Sequence, residues 1–415
     1  MIGWETVAVR DVADVFDGPH ATPAKTEEGP WYLSISSLSN GRFDFAQSAH
    51  LSDADLPRWT RRVAPRPGDT LFSYETRLGE AAYWGHDVPA ALGRRMGLLR
   101  PKPGKVEPRY LAYAYLGPQF QDVIREKTLH GATVNRIPVG EMPSWPLLLP
   151  PIDDQRAILG VLDAIDGLIE NNRRRVQLLE EIARAIYREW FVKFRYPGHE
   201  AASLVASPLG PIPAGWSAGR LGDLADEIRE SAKPGDFTRS VPYVPIDEID
   251  ARSLTLHRSR PGEDAASSLR VFREGDVLFG AMRAYFHKVC LAPFEGVTRS
   301  TCFVLRPRAD WGVLPLLYLD DDETVAYASN HSSGSTIPYA KWDGVLSERK
   351  VAIPPVSLAK AFSKIAQPML LHSRSLSRQS GELAATRDLV LPKLVTGQTN
   401  VSALNLDGLL EEAVA

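Results

Sequence analysis

The residues of this chain best able to do chemistry are scattered, and their spacing decides what they can do. Glu348-Arg349-Lys350 has the order of the end of a nuclease Glu-x-Lys triplet, in which a carboxylate holds a divalent cation beside a charge-stabilising lysine. No acidic residue stands upstream in a strand-like setting to complete it. Asp320-Asp321-Asp322-Glu323 offers oxygen ligands for a hard cation. Successive residues of a helix or strand point in different directions, however, so the run reads as a solvated acidic turn. His20, His50, His130 and His331 stand apart from one another and read as surface or structural histidines. Cys290 and Cys302 are too few for a disulfide framework, and they fit a reducing compartment. A Gly-x-x-x-x-Gly-Lys-Ser/Thr loop, an Asn/Asp-Pro-Pro-Tyr/Phe run and a dinucleotide-binding glycine pattern are all absent. The sequence therefore predicts a non-enzyme, with no catalytic residue, no metal and no cofactor of its own.

What, then, does the framework position? With 415 residues, 24% of them charged and 44% hydrophobic, the composition is that of two or three soluble globular domains. No apolar run approaches the roughly 20 residues needed to cross a bilayer, and Met1 to Arg10 lacks the layout of an export signal. The expectation is a cytoplasmic protein without a membrane partner. A net charge of -3 argues against holding a polyanion by bulk attraction, so a nucleic-acid site has to be a local patch.

The chain repeats itself. Gly3-Trp4 returns as Gly215-Trp216, and Val9-Arg10-Asp11-Val12-Ala13-Asp14 as Leu221-Gly222-Asp223-Leu224-Ala225-Asp226. Tyr32-Leu33-Ser34-Ile35 returns as Tyr243-Val244-Pro245-Ile246, and Arg66-Pro67-Gly68-Asp69-Thr70-Leu71-Phe72 as Arg273-Glu274-Gly275-Asp276-Val277-Leu278-Phe279. Gly131-Ala132-Thr133-Val134 returns as Gly334-Ser335-Thr336-Ile337, and Pro150-Pro151-Ile152 as Pro354-Pro355-Val356. The order is kept throughout, so the chain is two copies of one module. Each copy opens with short apolar runs between Gly and Pro turns, an α+β pattern, with Tyr110 to Glu126 as one of its helices.

After each Pro-Pro the texture changes to a helical period. Ile158, Leu162, Ile165, Ile169, Asn172, Val176, Leu179, Ala183, Ile186 and Trp190 step by 4 and 3, a heptad seam. The second copy offers Leu358, Phe362, Ile365, Met369, His372, Leu376, Gln379, Leu383, Thr386 and Val390. A lone helix of this length buries too little, so each seam needs a partner, and the other seam is the nearest candidate. The predicted fold is α+β: two similar globular domains separated by an antiparallel coiled coil of two long helices, related by a pseudo-two-fold axis. Residues 1–150 form the first domain, 151–196 a central helical region, 197–353 the second domain, 354–396 a C-terminal helical region and 397–415 a tail. Asn172 and Gln379 are candidates to fix helix register.

Two unlike domains on a rigid spacer make a bipartite reader, and duplex DNA rewards a fixed ruler. Local charge points the same way. Arg58, Arg61, Arg62 and Arg66 cluster around Trp59; Arg94, Arg95, Arg100, Lys102, Lys105 and Arg109 crowd a later stretch; Arg283, His287, Lys288 and Arg299 flank Tyr285 and Phe286. Base contacts are expected from the loop after each Gly-Asp strand and from the Gly-Thr segment. The candidates are Tyr74, Arg77, Arg94, Arg95, Thr133, Asn135 and Arg136 in the first copy, and Arg283, Tyr285, Lys288, Thr336, Tyr339 and Lys341 in the second.

Leu149-Pro150-Pro151-Ile152-Asp153-Asp154-Gln155-Arg156-Ala157-Ile158, with the helix running on through Leu178-Leu179-Glu180-Glu181 to Trp190-Phe191-Val192-Lys193-Phe194, closely resembles the central region of type I restriction-modification specificity subunits. Arg387-Asp388-Leu389-Val390-Leu391-Pro392-Lys393-Leu394-Val395-Thr396-Gly397 is similar to the end of their C-terminal helix, and the two Gly-Ser/Ala-Thr segments to a mark of their target recognition domains. The resemblance implies a subunit that reads an asymmetric bipartite site in double-stranded DNA and scaffolds two methyltransferase subunits. Two restriction subunits join the larger assembly. S-adenosylmethionine and ATP would then sit on those partners, which methylate adenine and restrict phage DNA. Asp154 and Gln155 are candidate subunit contacts, and so are Trp190 and Phe191, which exceed what a helix pair can bury and are assigned to a globular-domain or methyltransferase contact. The second Pro-Pro departs from the pattern, being followed by Val356-Ser357-Leu358 rather than an acid-Gln pair. The competing reading is a coiled-coil adaptor that joins proteins without reading DNA.

Overall fold

Gly68 at φ +101° and Gly275 at φ +88° occupy the left-handed region open to glycine, so each Gly-Asp pair turns the chain into a buried strand. The aspartates hold these turns. Asp69 accepts the Arg66 backbone N–H at 2.8 Å and two hydrogen bonds from the Arg100 guanidinium at 2.9 and 2.7 Å. Asp276 does the same with Arg273 N–H at 2.8 Å and with Arg306 at 2.8 and 2.9 Å. A buried carboxylate so paired satisfies its lone pairs and fixes both strand ends. These features come from a computed structural model, which describes residues 4–39, 41–131, 134–334 and 336–399.

In the first copy, strands β1 (Ala13–Asp17), β2 (Thr70–Ser73), β3 (Ala81–Tyr83) and β4 (Met96–Pro101) form an antiparallel sheet in the order β1-β4-β2-β3. In the second, β5 (Ala225–Glu227), β6 (Val277–Gly280), β7 (Val289–Leu291) and β8 (Cys302–Pro307) repeat it as β5-β8-β6-β7. Beside these sheets Trp31–Leu33 pairs parallel with Ala90–Leu92 and Tyr243 bridges parallel to Val297, while in the second copy Gly296–Arg299 also pairs antiparallel with Leu269–Phe272.

The longer helices are α1 (Pro108–Leu116), α2 (Pro118–Lys127), α3 (Ile152–Tyr187), α4 (Leu314–Asp320), α5 (Asp322–Asn330) and α6 (Val356–Val395). The single helix expected over Tyr110 to Glu126 is two, because Pro118 cannot donate to the preceding turn and holds Gly117 extended at ψ 149°. The acidic run at 320–323 is solvated only at Asp322 and Glu323. Asp320 closes α4 and is buried, accepting Arg184 Nε at 2.7 Å and facing His287 Nε2 at 3.0 Å. Asp321 caps α5 by accepting the Glu323 N–H at 3.0 Å.

The chain divides into two compact units, residues up to Gly167 with those from Leu383, and Leu168–Glu382. The long helices are shared between the units instead of forming one of their own. In the first unit, α3 buries Ile158, Val161, Leu162 and Ile165. Its Asp166 collects Tyr113 Oη at 2.6 Å, Arg42 at 2.7 Å and Arg387 of α6 at 3.0 Å. Burial alone would raise the Asp166 pKa, but the hydrogen bonds from Tyr113 and Arg42 and the nearby guanidinium charges bring it below the usual carboxylate value. Gly117 leaves room for the end of α6: a Cβ there would stand 2.8 Å from Val395 Cγ2.

In the second unit the two helices run antiparallel, Arg175 meeting His372 at 3.0 Å and Phe191 meeting Phe362 at 5.1 Å between ring centres. The expected seams drift. On α3 the buried stripe passes from Val176 to Glu180, Ala183 and Tyr187, leaving Leu179 and Ile186 half-covered. On α6, Ala359, Phe362, Ala366, Leu370 and Ser373 face inward, while Ile365 is 39% exposed and His372 is exposed. The cause is contact with the globular domain. Ser363 Oγ accepts the Val313 N–H at 3.3 Å, and a Cβ on Gly312 would lie 2.3 Å from it, so small residues set the phase of this half-helix.

Candidate nucleic-acid interface

In each copy the loop after the Gly-Asp strand and the segment after the Gly-Thr motif meet. Glu75 bridges to Arg136, and Ile137 N–H donates to Tyr74 O at 2.8 Å. Met282 bridges to Tyr339, and Ala340 N–H donates to Ala281 O at 2.9 Å. The glycines repeat as well, since a Cβ on Gly131 would stand 2.7 Å from Val134 O, and one on Gly334 2.7 Å from Ile337 O. Backbone closeness thus requires glycine at both sites. Each domain thereby builds one paired-loop tip from segments about 60 residues apart.

The tips differ in what they show to solvent. In the first copy, Tyr74 is buried, and its hydroxyl has no partner among the described residues, so it is withdrawn as a surface contact. Burial pushes its pKa up, with Asp17 and Glu75 adding to the effect. Arg77 donates to Ile35 O at 3.2 Å and lies 3.6 Å from Glu80; Arg95 pairs with Glu75 at 2.7 Å. Both arginines are engaged inside the tip. Arg94, Asn135 and Arg136 are exposed. Thr133 lies outside the described residues.

In the second copy, Tyr285, Thr336, Tyr339 and Lys341 are exposed and Arg283 is half-buried. Lys288 instead donates to Ile246 O at 2.9 Å. Phe286, not among the sequence candidates, is 47% exposed beside Tyr285; its signal was its place next to that residue. Neither residues 281–288 nor 331–341 contain an Asp or Glu, and they carry Arg283, Lys288 and Lys341.

The other basic stretches are committed in part, while Arg61, Arg66, Lys105 and Arg299 stay exposed. Arg62 pairs with Asp17 at 2.6 Å, Lys102 donates to Arg10 O at 2.6 Å and Arg109 pairs with Asp163 at 3.0 Å. Glu348 of the nuclease-like triplet pairs with Arg220 at 3.1 Å, and Arg349 donates to Thr324 Oγ1 at 3.0 Å. A cleft of about 370 Å³ in the first unit is bordered by Arg42, Glu80, Asp166, Arg387 and Asp388, with Asp166 paired to Arg42 and Arg387, and Asp388 to Arg387.

Of the candidate subunit contacts, Asp154 is exposed. Gln155 is buried, its Oε1 accepting the Glu107 N–H at 2.9 Å and its Nε2 donating to Pro150 O at 2.9 Å. Phe191 is buried against Trp216, Tyr318 and Phe362, and Trp190 packs on Phe362. Gln155 and Phe191 are thus spent inside their own units, because each completes a core or a hydrogen-bond set there. Among the described residues no group of three or more His, Cys, Asp or Glu is placed to hold a metal ion, and no helix is long and apolar enough to cross a membrane.

No family model matches the chain. It is 22% identical over 421 residues to the type I restriction enzyme MjaIX specificity subunit of Methanocaldococcus jannaschii, covering 97% of this chain and 94% of that one. It is also 22% identical over 314 residues to the type I restriction enzyme EcoDI specificity subunit of Escherichia coli, covering 66% of this chain and 70% of the relative. The crystal structure of a type I restriction-modification system S subunit from M. genitalium shares the fold, with a TM-score of 0.54 at 15% identity over 95% of this chain and 96% of that one.

Proposed function

We propose that this chain, similar over nearly its whole length to a type I restriction enzyme specificity subunit, is itself such a subunit and selects the DNA sequence on which partner subunits act. The observation that carries this reading is the duplicated paired-loop tip, the same backbone construction with different exposed side chains. Such a pair suits two half-sites of different sequence. Arg94, Asn135 and Arg136 would contact one half-site, and Arg283, Tyr285, Thr336, Tyr339 and Lys341 the other. Bidentate contacts to base edges contribute about 1–3 kcal/mol each, and the remaining side chains bind phosphate.

The chemistry belongs elsewhere in this reading. Two methyltransferase subunits bring S-adenosylmethionine, with Asp154 among the residues offered to them, and two restriction subunits bring ATP hydrolysis, all in the cytoplasm. The long helices act as scaffold and ruler. The test is methylome sequencing of the source cells with and without the gene. One bipartite adenine-methylation motif should disappear. Exchange of residues 1–148 for those of a relative should then change one half of the motif and leave the other. An unchanged methylome in cells that retain active methyltransferase subunits overturns the proposal.

A further inference from the structure

Resting on the reading that the paired-loop tips meet duplex DNA, we propose that Tyr285 and Phe286 form an aromatic wedge that enters between stacked base pairs of the half-site read by the second domain. The two rings lie 4.8 Å apart at 52° and remain 54% and 47% exposed. Neighbouring aromatics left in water on a loop tip forgo the burial that drives folding, which marks them as a contact surface.

Their backbone is held in a costly shape. Arg283 and His287, on either side of the turn Ala284–Phe286, both lie at φ +52°, a left-handed conformation that residues with a Cβ adopt only where the surroundings impose it. Arg283 N–H donates to Pro338 O at 2.8 Å, so the Gly-Thr loop clamps one side. The other side is His287, whose buried ring lies 3.0 Å from Asp320 and 3.5 Å from Asp322. Asp320 is in turn held by Arg184 of α3 at 2.7 Å. The turn is therefore braced to the long helix through one carboxylate. A rigid apolar tip can unstack a base step without first paying for its own ordering.

Charge selects the occupant. The two loops hold Arg283, Lys288 and Lys341 and no carboxylate, in a chain of net charge -3, and Asp322 nearby is taken up by Arg252 at 2.9 Å. A polyanion with stacked faces fits such a tip better than an apolar protein surface does. The first copy has no counterpart, because its turn carries Glu75, Arg77 and Glu80, with the charges paired. Insertion is easiest at flexible pyrimidine–purine steps. The second half-site should therefore contain one at a fixed position, recognised through its deformability.

The experiment uses the full chain assembled with its methyltransferase subunits and duplexes carrying the motif found by methylome sequencing, with 2-aminopurine at successive positions of the second half-site other than the methylated adenine, which a methyltransferase flips out of the stack itself. Binding should raise fluorescence severalfold at one position. Phe286→Ala and Tyr285→Ala should abolish the rise and lower discrimination at that half-site by roughly ten- to a hundredfold, while the first half-site is read as before. Phe286→Trp should preserve the signal. Sequence-specific binding with no rise at any position overturns the wedge and leaves the specificity reading standing, with packing on a thymine methyl as the replacement. An unaltered complex that binds without sequence preference overturns both.

Discussion

Asp166 shows how a single side chain ties sequence-distant pieces into one unit. It sits near the end of the first unit's share of α3 and accepts hydrogen bonds from Tyr113, Arg42 and Arg387, residues between 53 and 221 positions away. Because its pKa is lowered in the folded protein, the linked stability is present above the unfolded value of about 3.9 and is lost as pH falls through the folded pKa. Asp166→Asn should cost about 3 kcal/mol at neutral pH, because the guanidiniums lose a buried partner. Urea unfolding followed against pH checks this: the gap between variant and parent should close below about pH 4. A gap independent of pH would show that shape rather than charge sets the contribution. None of this was legible in the sequence, where Asp166 is one acid among many on a helix and its partners lie in three other segments.

At the scale of elements, local rules were readable and their tertiary overrides were not. The Gly-Asp turns, the twin Pro-Pro helix starts and the duplicated order are all present in the structure, because turn chemistry and periodicity act within a few residues. The phase of α6 escaped. Stepping by 4 and 3 through the largest apolar side chains selects Ile365, but the helix lies close against Gly312 and Val313, where only small residues fit. Size complementarity with a distant loop outweighed hydrophobicity. Ile365→Ala should therefore change stability by less than about 0.5 kcal/mol, as for an exposed site, while Ala366→Leu should cost about 1–3 kcal/mol through overpacking. Thermal or urea unfolding of the two variants decides it, and the reverse ranking would restore the seam read from the sequence. The same contest explains why Phe191 is spoken for: burying such a ring contributes about 1.5–3 kcal/mol to the unit that owns it.

For the whole molecule, the proposed role turns on length. A helix rises about 1.5 Å per residue, so removing seven residues shortens it by about 10 Å, close to three base pairs of duplex at about 3.4 Å each. Seven residues also leave the helix face within about 20° of its former direction, whereas a deletion of four would swing it further. Excising one heptad from the middle of both α3 and α6, so that the antiparallel pairing is kept, should leave each half-site sequence as it was and shorten the gap between them by about three base pairs. Methylome sequencing of cells carrying the altered chain reads half-sites and gap in one measurement. A motif with its original spacing would mean that the helices do not set the distance, even if both tips still read DNA. Loss of all methylation alongside normal unfolding behaviour would instead place the docking of the methyltransferase subunits on the excised turns, and a seven-residue deletion elsewhere in the pair would then test the ruler separately.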